Sequence, residues 1–237
     1  MDKSTNYWDY FDKIYCISID ERSDRRKEAA SQFEKTGLLD YVEYHIVQKH
    51  PYDSEEGIYE SHMACIKNGL LAGAGNIFIL EDDILFDGFS PESLKQCIDF
   101  MRDTPDWKAF FFGCLVSGSR KTHRKGVLKI KYRSLTQAYV LNRDFAELLV
   151  KKPWQKIAFD SVLKSYKDGF YATFPSFAFQ SNSPTGNSKY LRLDKFRRLC
   201  GGLQRIQKRN EFYYRNRSMF IALHVLFILL IAFWFFR

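Results

Sequence analysis

The chain has 237 residues, of which 36 are Lys or Arg and 28 are Asp or Glu, so its formal net charge is +8. This length suits one catalytic-sized domain with an appended segment and excludes two large domains. Apolar residues make up 46% of the chain and aromatic residues 17%, which excludes a disordered, collagenous or low-complexity protein. A basic surplus usually suggests nucleic-acid binding, so the position of the charge has to be considered.

Short apolar runs rich in β-branched and aromatic residues alternate along the chain with segments of helical periodicity. The predicted strands cover residues 13–19, 42–47, 77–80, 109–112, 137–141 and 170–174. The predicted helices cover residues 24–36 (capped by Ser23 and ended by Gly37), 60–72, 91–101, 143–151 and 161–167. A polar loop over residues 180–191 closes the globular part. Strands alternating with helices predict an α/β fold with a layered sheet.

The basic surplus lies near the C-terminus. Residues 192–217 hold nine basic and two acidic residues, whereas basic and acidic residues balance over residues 1–191. Residues 219–236 are eighteen uncharged, almost wholly apolar residues. As a helix they would be about 27 Å long, close to the ~30 Å of a bilayer's hydrocarbon core. We therefore predict a catalytic domain over 1–191, a basic amphipathic juxtamembrane segment over 192–218 and a transmembrane helix over 219–236.

The basic segment predicts how the chain meets a membrane. Positive charge stays on the cytoplasmic side, so we expect the domain on the cytoplasmic face, with a single C-terminal span. Apolar residues recur at helical spacing through the segment, which predicts a helix lying in the interface and contacting anionic lipids. Gly201 and Gly202 are expected to break that helix. Nucleic-acid binding is the competing interpretation, and we expect none. The apolar residues at helical spacing form one stripe, which consists of Leu193, Phe196, Leu199, Leu203 and Ile206.

The strongest candidate site is Glu81-Asp82-Asp83, directly after the strand predicted at residues 77–80. Ligands of open α/β sheets bind at the carboxyl ends of strands. Adjacent carboxylates repel each other, and a divalent cation such as Mn²⁺ or Mg²⁺ would relieve that repulsion while bridging to a diphosphate. Glu81 and Asp83 are two residues apart, on one side of an extended chain, and could share the ion. The alternative is a solvated acidic turn.

Four more side chains near predicted strand and helix ends are candidates. Ser61 is predicted to cap the helix over residues 60–72, whose free N–H groups would suit an anion. His62 beside it could face the donor or be an ordinary packed histidine. Arg25 and Arg26, after the first strand, could hold phosphates or belong to a solvated helix start.

Two further features have open alternatives. Residues 120–133 carry seven basic residues and no acid, which is typical of a solvated hairpin face or of a strip that meets an anionic acceptor. Asp160 stands at a predicted helix start, where it could cap the helix or act as the general base.

Taken in order, these segments resemble glycosyltransferase family 25, which includes bacterial lipooligosaccharide and collagen galactosyltransferases. The resemblance covers roughly residues 12–190. It departs from the family in the stretch 57–61, which lacks a second glycine, and in the compressed region 45–56. The matching pieces are Ile14–Asp20, Asp24-Arg25-Arg26, Gly57, Ser61-His62, Ile77–Asp83, Phe110–Gly113, Gln137-Ala138-Tyr139-Val140, Asp160, Pro175 and Gln180.

The resemblance implies a GT-A-type nucleotide-binding sheet with flanking helices and transfer of galactose or another hexose from a UDP-sugar to a hydroxyl. It also implies that Glu81 and Asp83 face the metal and diphosphate, with Asp82 at the ribose or sugar. Asp20, Arg25, Arg26, Ser61 and His62 are then expected to bind the donor. The expected acceptor is a lipid-linked or surface glycan such as lipooligosaccharide. The alternative function is a catalytically degenerate transferase fold acting as a membrane-tethered scaffold.

Overall fold

The protein is described by a computed structural model covering residues 6–183 and 191–235; residues 184–190 of the predicted polar loop and the last residue of the predicted span lie outside this description. The strands are β1 Lys13–Ile19, β2 Val42–Val47, β3 Asn76–Glu81, β4 Ile84–Phe86, β5 Ala109–Phe111, β6 Leu115–Lys121, β7 Val127–Ser134, β8 Ala138–Asn142, β9 Phe170–Thr173 and β10 Ala178–Gln180. The helices are α1 Ser23–Thr36, α2 Ser54–Leu71, α3 Pro91–Asp103, α4 Arg143–Leu149, α5 Phe159–Lys164, α6 Leu191–Leu199, α7 Gly202–Arg215 and α8 Arg217–Phe235.

The strands form a mixed sheet, which confirms the α/β fold with flanking helices. The eight-stranded order is β2-β1-β3-β8-β5-β9-β7-β6. β1 pairs in parallel with β2 and β3, so the carboxyl ends of these three strands meet at one edge. β8 runs antiparallel between β3 and β5, and β4 and β10 form a separate two-stranded sheet. β2 lies on one side of β1 and β3 on the other, and a ligand-binding crevice forms at the carboxyl ends of the strands where the chain changes sides in this way.

Both faces of the central strands are buried, because alternate side chains enter two different cores. Ile77 and Ile79 of β3 pack on one face with Phe111 of β5. Phe78 of β3 and Phe110 of β5 pack on the other face. These side chains are fully buried, and the continuous apolar runs of the sequence reflect burial on both faces.

The elements that bound the crevice match the sequence analysis except at the starts of two helices and by one residue at each end of β3. β1 and β2 have the predicted bounds, and the helix after β1 ends at Gly37, whose φ is +69°. That helix begins at Ser23 itself, with Arg22 as its cap. The prediction of a helix start at residue 60 was wrong, because α2 begins at Ser54. The Asp53 carboxylate accepts a hydrogen bond from the Glu55 N–H at 2.9 Å and so caps the helix earlier.

The basic stretch over residues 120–133 lies in the hairpin of β6 and β7, which supports the solvated-hairpin interpretation. Lys129, Lys131 and Arg133 alternate with the buried Ile130 and Tyr132, so the charges lie on an exposed face of the hairpin. Arg124, in the turn, pairs with Asp99 and Asp103 of α3.

Helix α7 packs on the sheet, although its basic composition predicted a juxtamembrane helix in the interface. Gln207 is fully buried and donates to the carbonyl of Ala178 at 3.1 Å. The Asn210 side chain accepts from the N–H of Val116 at 2.9 Å and donates to its carbonyl at 3.0 Å. Val116 lies in β6, the last strand of the sheet, so Asn210 pairs with the backbone of that edge strand. The boundary at residue 191 stays a prediction, but α7 shares its hydrogen bonds with the sheet.

Replacing Asn210 with Ala should lower the free energy of unfolding by about 1–3 kcal/mol, since two buried backbone groups of Val116 lose their partner. Asn216→Ala is the matched control, because Asn216 only donates to the Phe212 carbonyl at an exposed position. Its effect should stay within about 0.5 kcal/mol. Thermal unfolding of the full chain in detergent, followed by tryptophan fluorescence, measures both. Equal effects of the two variants would contradict the pairing.

The predicted break between α6 and α7 is confirmed. Gly201 and Gly202 both have positive φ, +90° and +86°, a conformation that suits glycine. A Cβ on Gly202 would stand 2.1 Å from Oδ1 of the exposed Asn182, so another residue there would displace that side chain as well as strain the backbone. After α7, helix α8 is long and apolar enough to cross a membrane, with a mean hydropathy of 2.5 and none of it buried in the protein.

Candidate active site

An open cavity lies where the carboxyl ends of β1, β2 and β3 meet. β1 contributes Ile17, Ser18 and Ile19, and β2 contributes Val47. The acidic triplet at the end of β3 lies in its wall, and α2 and α6 contribute further wall residues. The sequence therefore placed the acids at the correct edge of the sheet, and the alternative of a merely solvated acidic turn does not hold: Asp82 and Asp83 are 6% and 7% exposed.

The two aspartates of the triplet are held by specific partners. Asp82 accepts from the Ser18 hydroxyl at 2.7 Å and from Arg25 at 3.3 Å. Asp83 accepts from Arg25 at 3.4 Å and from the amide of Gln180 at 2.8 Å through the same oxygen, Oδ2. Its other oxygen, Oδ1, is buried and has no hydrogen-bond partner in the described part of the chain. One carboxylate oxygen of the triplet is thus left for a ligand.

The three carboxylates differ in how readily they ionise. Burial, and then the negative charge of Glu81, raise the pKa of Asp83 to about 7. Burial also raises the pKa of Asp82, against the opposing bonds from Ser18 and Arg25. Burial alone would raise the pKa of Glu81 too, but His62, Thr136 and Arg25 outweigh it and lower that pKa. Negative charge in this crowded site is therefore costly and favours a positively charged ligand.

Glu81 is fixed by a network that the sequence analysis only partly anticipated. Its Oε1 accepts from the Thr136 hydroxyl at 2.6 Å and lies 3.6 Å from Nε2 of His62. His62 is 1% exposed, its Nδ1 is 2.9 Å from the hydroxyl of Tyr139, and its ring stacks on Phe159 with 4.3 Å between centroids. His62 therefore holds Glu81 in place as well as lining the cavity.

Ser61 lines the cavity but does not cap a helix, so that prediction was wrong. It lies inside α2, and its hydroxyl donates to the Gly57 carbonyl at 2.6 Å, one turn back. A side chain on Gly57 would bring a Cβ within 2.6 Å of the Cβ of His50, so the glycine lets α2 pack against the chain entering it. The helix N-terminus belongs to Asp53, so Ser61 cannot offer an anion the free N–H groups of a first turn.

The two arginines predicted to hold phosphates have different positions. Arg25 lines the cavity between Asp82 and Asp83. Arg26 does not line it: its guanidinium donates to the carbonyls of Ile19 at 2.6 Å and Asp20 at 2.8 Å, which satisfies the backbone at the end of β1. The Asp20 carboxylate is also outside the cavity wall and accepts from the amide of Gln48 at 3.2 Å. Donor binding by Arg26 and Asp20 is therefore not supported by their placement.

Asp160 is placed beside the network and outside the cavity wall. It lies in the first turn of α5, and its carboxylate accepts from the Tyr132 hydroxyl at 2.7 Å and from the Leu135 N–H at 3.2 Å. Leu135 has a φ of +80°, unusual for a residue with a side chain, and precedes Thr136, the partner of Glu81. Burial raises the pKa of Asp160. These contacts favour a role in positioning the loop, and the general-base role stays a prediction.

Some site residues escaped the sequence analysis because they come from distant parts of the chain. Ser18 and Thr136 are single hydroxyl residues whose partners are 64 and 55 residues away in sequence. Gln180 was noted only as part of the family resemblance, with no role assigned, yet its side-chain amide donates to Asp83. Asp194 and Arg197 were assigned to the basic segment, but α6 brings both into the cavity wall.

The acidic triplet fits a divalent cation when a substrate completes the coordination. Within residues 6–183 and 191–235, no group of three or more His, Cys, Asp and Glu side chains could hold a metal ion alone. Mg²⁺ is usually bound by one or two carboxylates together with substrate phosphates, and it takes hard oxygen ligands. Asp83, with its unpartnered Oδ1, and Glu81 fit such a shared site.

No protein-family model and no curated protein matches the chain. Among solved structures, A197 from STIV gives a TM-score of 0.49 at 12% identity, over 71% of this chain and 85% of that one. A glycosyltransferase involved in glycosylation of the major capsid of PBCV-1 gives 0.43 at 10%, over 78% and 99%. The galactosyltransferase LgtC, in complex with donor and acceptor sugar analogs, gives 0.37 at 11%, over 68% and 72%.

The chain thus has partial structural similarity to glycosyltransferases. Each of the three TM-scores is below 0.5, so these proteins assign no activity and no residue role to this chain. Membership of glycosyltransferase family 25 stays a prediction, and the case for a function rests on the cavity at the ends of β1 and β3.

Proposed function

We propose that the protein is a metal-dependent glycosyltransferase that moves galactose or another hexose from a UDP-sugar to a hydroxyl of a glycan or glycolipid. One observation carries the proposal. An acidic triplet with two buried aspartates faces a cavity at the carboxyl ends of two parallel strands, with one carboxylate oxygen unpartnered within the described residues and an arginine between two of the acids. Such a site combines a place for a cation with a place for phosphates.

The residues of the cavity divide this work. Glu81 and Asp83 would hold Mn²⁺ or Mg²⁺, which when bound supplies positive charge to the leaving UDP. Arg25 would bind the diphosphate by charge-assisted hydrogen bonds. Asp82, fixed by Ser18, would meet the ribose or the sugar. Ser61 and His62 line the same wall, and His62 keeps Glu81 in position.

The family resemblance supplies the finer part of the proposal. It favours a GT-A-type enzyme of family 25 that acts on a lipid-linked or surface glycan such as lipooligosaccharide. The apolar helix α8 and the basic residues before it favour a membrane-anchored protein with its domain on the cytoplasmic face and contacts to anionic lipids. Nucleic acid has no part in the proposal.

A donor screen tests the proposed activity. The full chain, reconstituted in nanodiscs, is incubated with individual UDP-hexoses with and without Mn²⁺, and released UDP is measured. We expect release from at least one UDP-hexose, with a rise of at least tenfold on adding Mn²⁺. No release and no UDP binding with Mn²⁺ present would reject the transferase proposal.

The same binding measurement separates a second candidate function, a degenerate transferase fold that acts as a membrane-tethered scaffold. Arg25 lies 3.3–3.4 Å from Asp82 and Asp83 and already neutralises part of their charge, which a scaffold would need to stay folded without a ligand. A scaffold of this kind should show no UDP binding in a calorimetric titration with Mn²⁺.

Asp160→Asn tests whether this carboxylate takes the proton of the acceptor. From its contacts we expect transfer to fall by no more than about tenfold, whereas removing a general base typically costs 10²–10⁴-fold. Asn can still accept the hydrogen bond from Tyr132, so the loop at Leu135 should keep its conformation. A loss of 10²-fold or more, with an altered pH profile of kcat, would establish the general-base role instead.

A further inference from the structure

Helix α6 has two chemically different sides. Asp194 and Arg197, three residues apart, lie in the wall of the cavity. Leu193, Phe196 and Leu199 lie on another side and are 41%, 60% and 84% exposed. The protein therefore turns the polar side of this helix inward and leaves much of its apolar side exposed among the described residues, the reverse of what a helix on a water-soluble domain usually does.

The position of α6 is set by its junction with α7. Gly202 packs closely against Asn182, Leu203 is buried, and Gln207 and Asn210 bind the sheet, so α7 anchors the end of α6 to the domain. The apolar stripe of the sequence is thus divided at Gly201. Its second part enters the protein, and its first part stays exposed.

Helix α8 and the basic residues of α6 indicate what covers the exposed apolar side of α6. Helix α8 is an apolar segment of nineteen residues with none of it buried. The fourteen-residue α7, about 21 Å long, joins it to α6, so α6 meets the same bilayer when α7 runs along the membrane surface. Arg192 and Lys195 accompany the three apolar residues on α6 and complement the negative charge of anionic headgroups, whereas Arg198 pairs with Asp194 at 2.8 Å.

We propose that Leu193, Phe196 and Leu199 insert into the headgroup region of an anionic bilayer. A second step rests on the proposed function: the cavity takes an acceptor sugar carried by a lipid of that bilayer. An α-helix with its side chains is only about 10–12 Å across. Because the other side of α6 is the cavity wall, the mouth of the cavity opens about one helix diameter from the lipid surface. An acceptor on a membrane lipid needs no long spacer to reach it.

Lipid contact is measured without reference to activity. Cys200 is replaced by Ser in the full chain; the other four cysteines are buried. A fluorophore is attached to Phe196→Cys or Leu199→Cys in nanodiscs that contain phosphatidylglycerol and spin-labelled lipid. Leu226→Cys, in the middle of α8, is the control for a position inside the bilayer. Leu71→Cys, which is 86% exposed at the opposite end of α2 from the cavity, is the control for a position in water.

We expect quenching at positions 196 and 199 to be at least threefold stronger than at position 71 and of the same order as at position 226. The proposal would be overturned if position 226 is quenched while positions 196 and 199 are quenched no more than position 71. Absence of quenching at 226 would overturn it as well, since the bilayer would then not be where α8 places it.

The acceptor is tested with two probes that share one sugar, dodecyl β-galactoside in the nanodisc and methyl β-galactoside in water. Transfer to the dodecyl glycoside should exceed transfer to the methyl glycoside at least tenfold. The triple variant Leu193→Ser/Phe196→Ser/Leu199→Ser should lose most of that preference while UDP release without acceptor changes less than twofold. An unchanged preference in the variant would reject the acceptor inference. If no UDP-hexose is a donor, the proposed function and the acceptor inference fail together, and the quenching result decides the lipid contact separately.

Discussion

Asp83→Asn should lower Mn²⁺-dependent UDP release by the full chain about 10²–10³-fold, the loss typical of removing one electrostatic contact to a developing charge. The substitution removes the carboxylate whose Oδ1 has no partner in the described residues, while its amide oxygen can still accept from Gln180. The matched control is Asp168→Asn, since the side chain of Asp168 is 80% exposed and does not line the cavity. It should leave UDP release within twofold of the unsubstituted chain.

The stability of the Asp83→Asn variant separates loss of function from loss of fold. Asp83 is a buried carboxylate whose pKa is raised to about 7 by burial and then by Glu81, so keeping it charged is unfavourable for folding. A neutral amide removes that cost, and the melting temperature should stay the same or rise. Unchanged UDP release with unchanged Mn²⁺ dependence would reject Asp83 as a metal ligand.

Gly113→Ala should destabilise the full chain by about 3 kcal/mol or more, the upper range for inserting a methyl group where the surroundings cannot move. A Cβ on Gly113 would stand 1.7 Å from the backbone carbonyl oxygen of Ala178 and 2.6 Å from Nε2 of Gln207. The first of these atoms is backbone, so β10 and α7 would have to shift away from the end of β5. Gln137 and Gln207 both donate to the Ala178 carbonyl, and Gln137 also donates to the Gly113 carbonyl at 2.9 Å. A shift at this junction would weaken these hydrogen bonds.

Gly118→Ala is the matched control for this prediction. A Cβ there would come no closer than 3.4 Å to the flexible side chain of Lys131, which is ordinary contact. We expect its melting temperature to stay within about 2 °C of the unsubstituted chain, as measured by tryptophan fluorescence in detergent. A Gly113→Ala variant as stable as Gly118→Ala would show that β10 and α7 do not pack against Gly113.

The long elements of the fold could be predicted because each carries its own signal. β1 and β2 are continuous apolar or alternating runs with clear ends, and their bounds were predicted to the residue. β4 and β10 were missed because each is short and exists through pairing with the other, from a distant part of the chain, with Phe179 opposite Leu85. The start of α2 was missed because the helix was predicted only from residue 60, which left Gly57 outside it, whereas in the structure Gly57 lies in the helix and permits close packing on His50.

The candidate site, too, could be predicted only where its residues carry a local sequence signal. The acidic triplet could be located because an apolar strand directly precedes it, and that local pattern fixes it at a strand's carboxyl end. Arg25 and Arg26 are adjacent and equivalent in the sequence, and only the three-dimensional fold turns one toward Asp82 and the other toward the end of β1. Arg197 reaches the cavity because α7 docks on the sheet and holds α6 beside it. The composition of α7 predicted a helix at the lipid surface instead.

The pairing of Asn210 with Val116 bears on how a water-soluble form of the protein can be made. An outermost strand with free backbone groups is a template for joining other chains and promotes aggregation. A fragment ending at residue 191 would remove α7 and uncover β6, whereas a fragment ending at residue 215 would keep that cover and remove only α8. The shorter fragment contains every acid of the cavity's triplet, yet it is the one expected to self-associate.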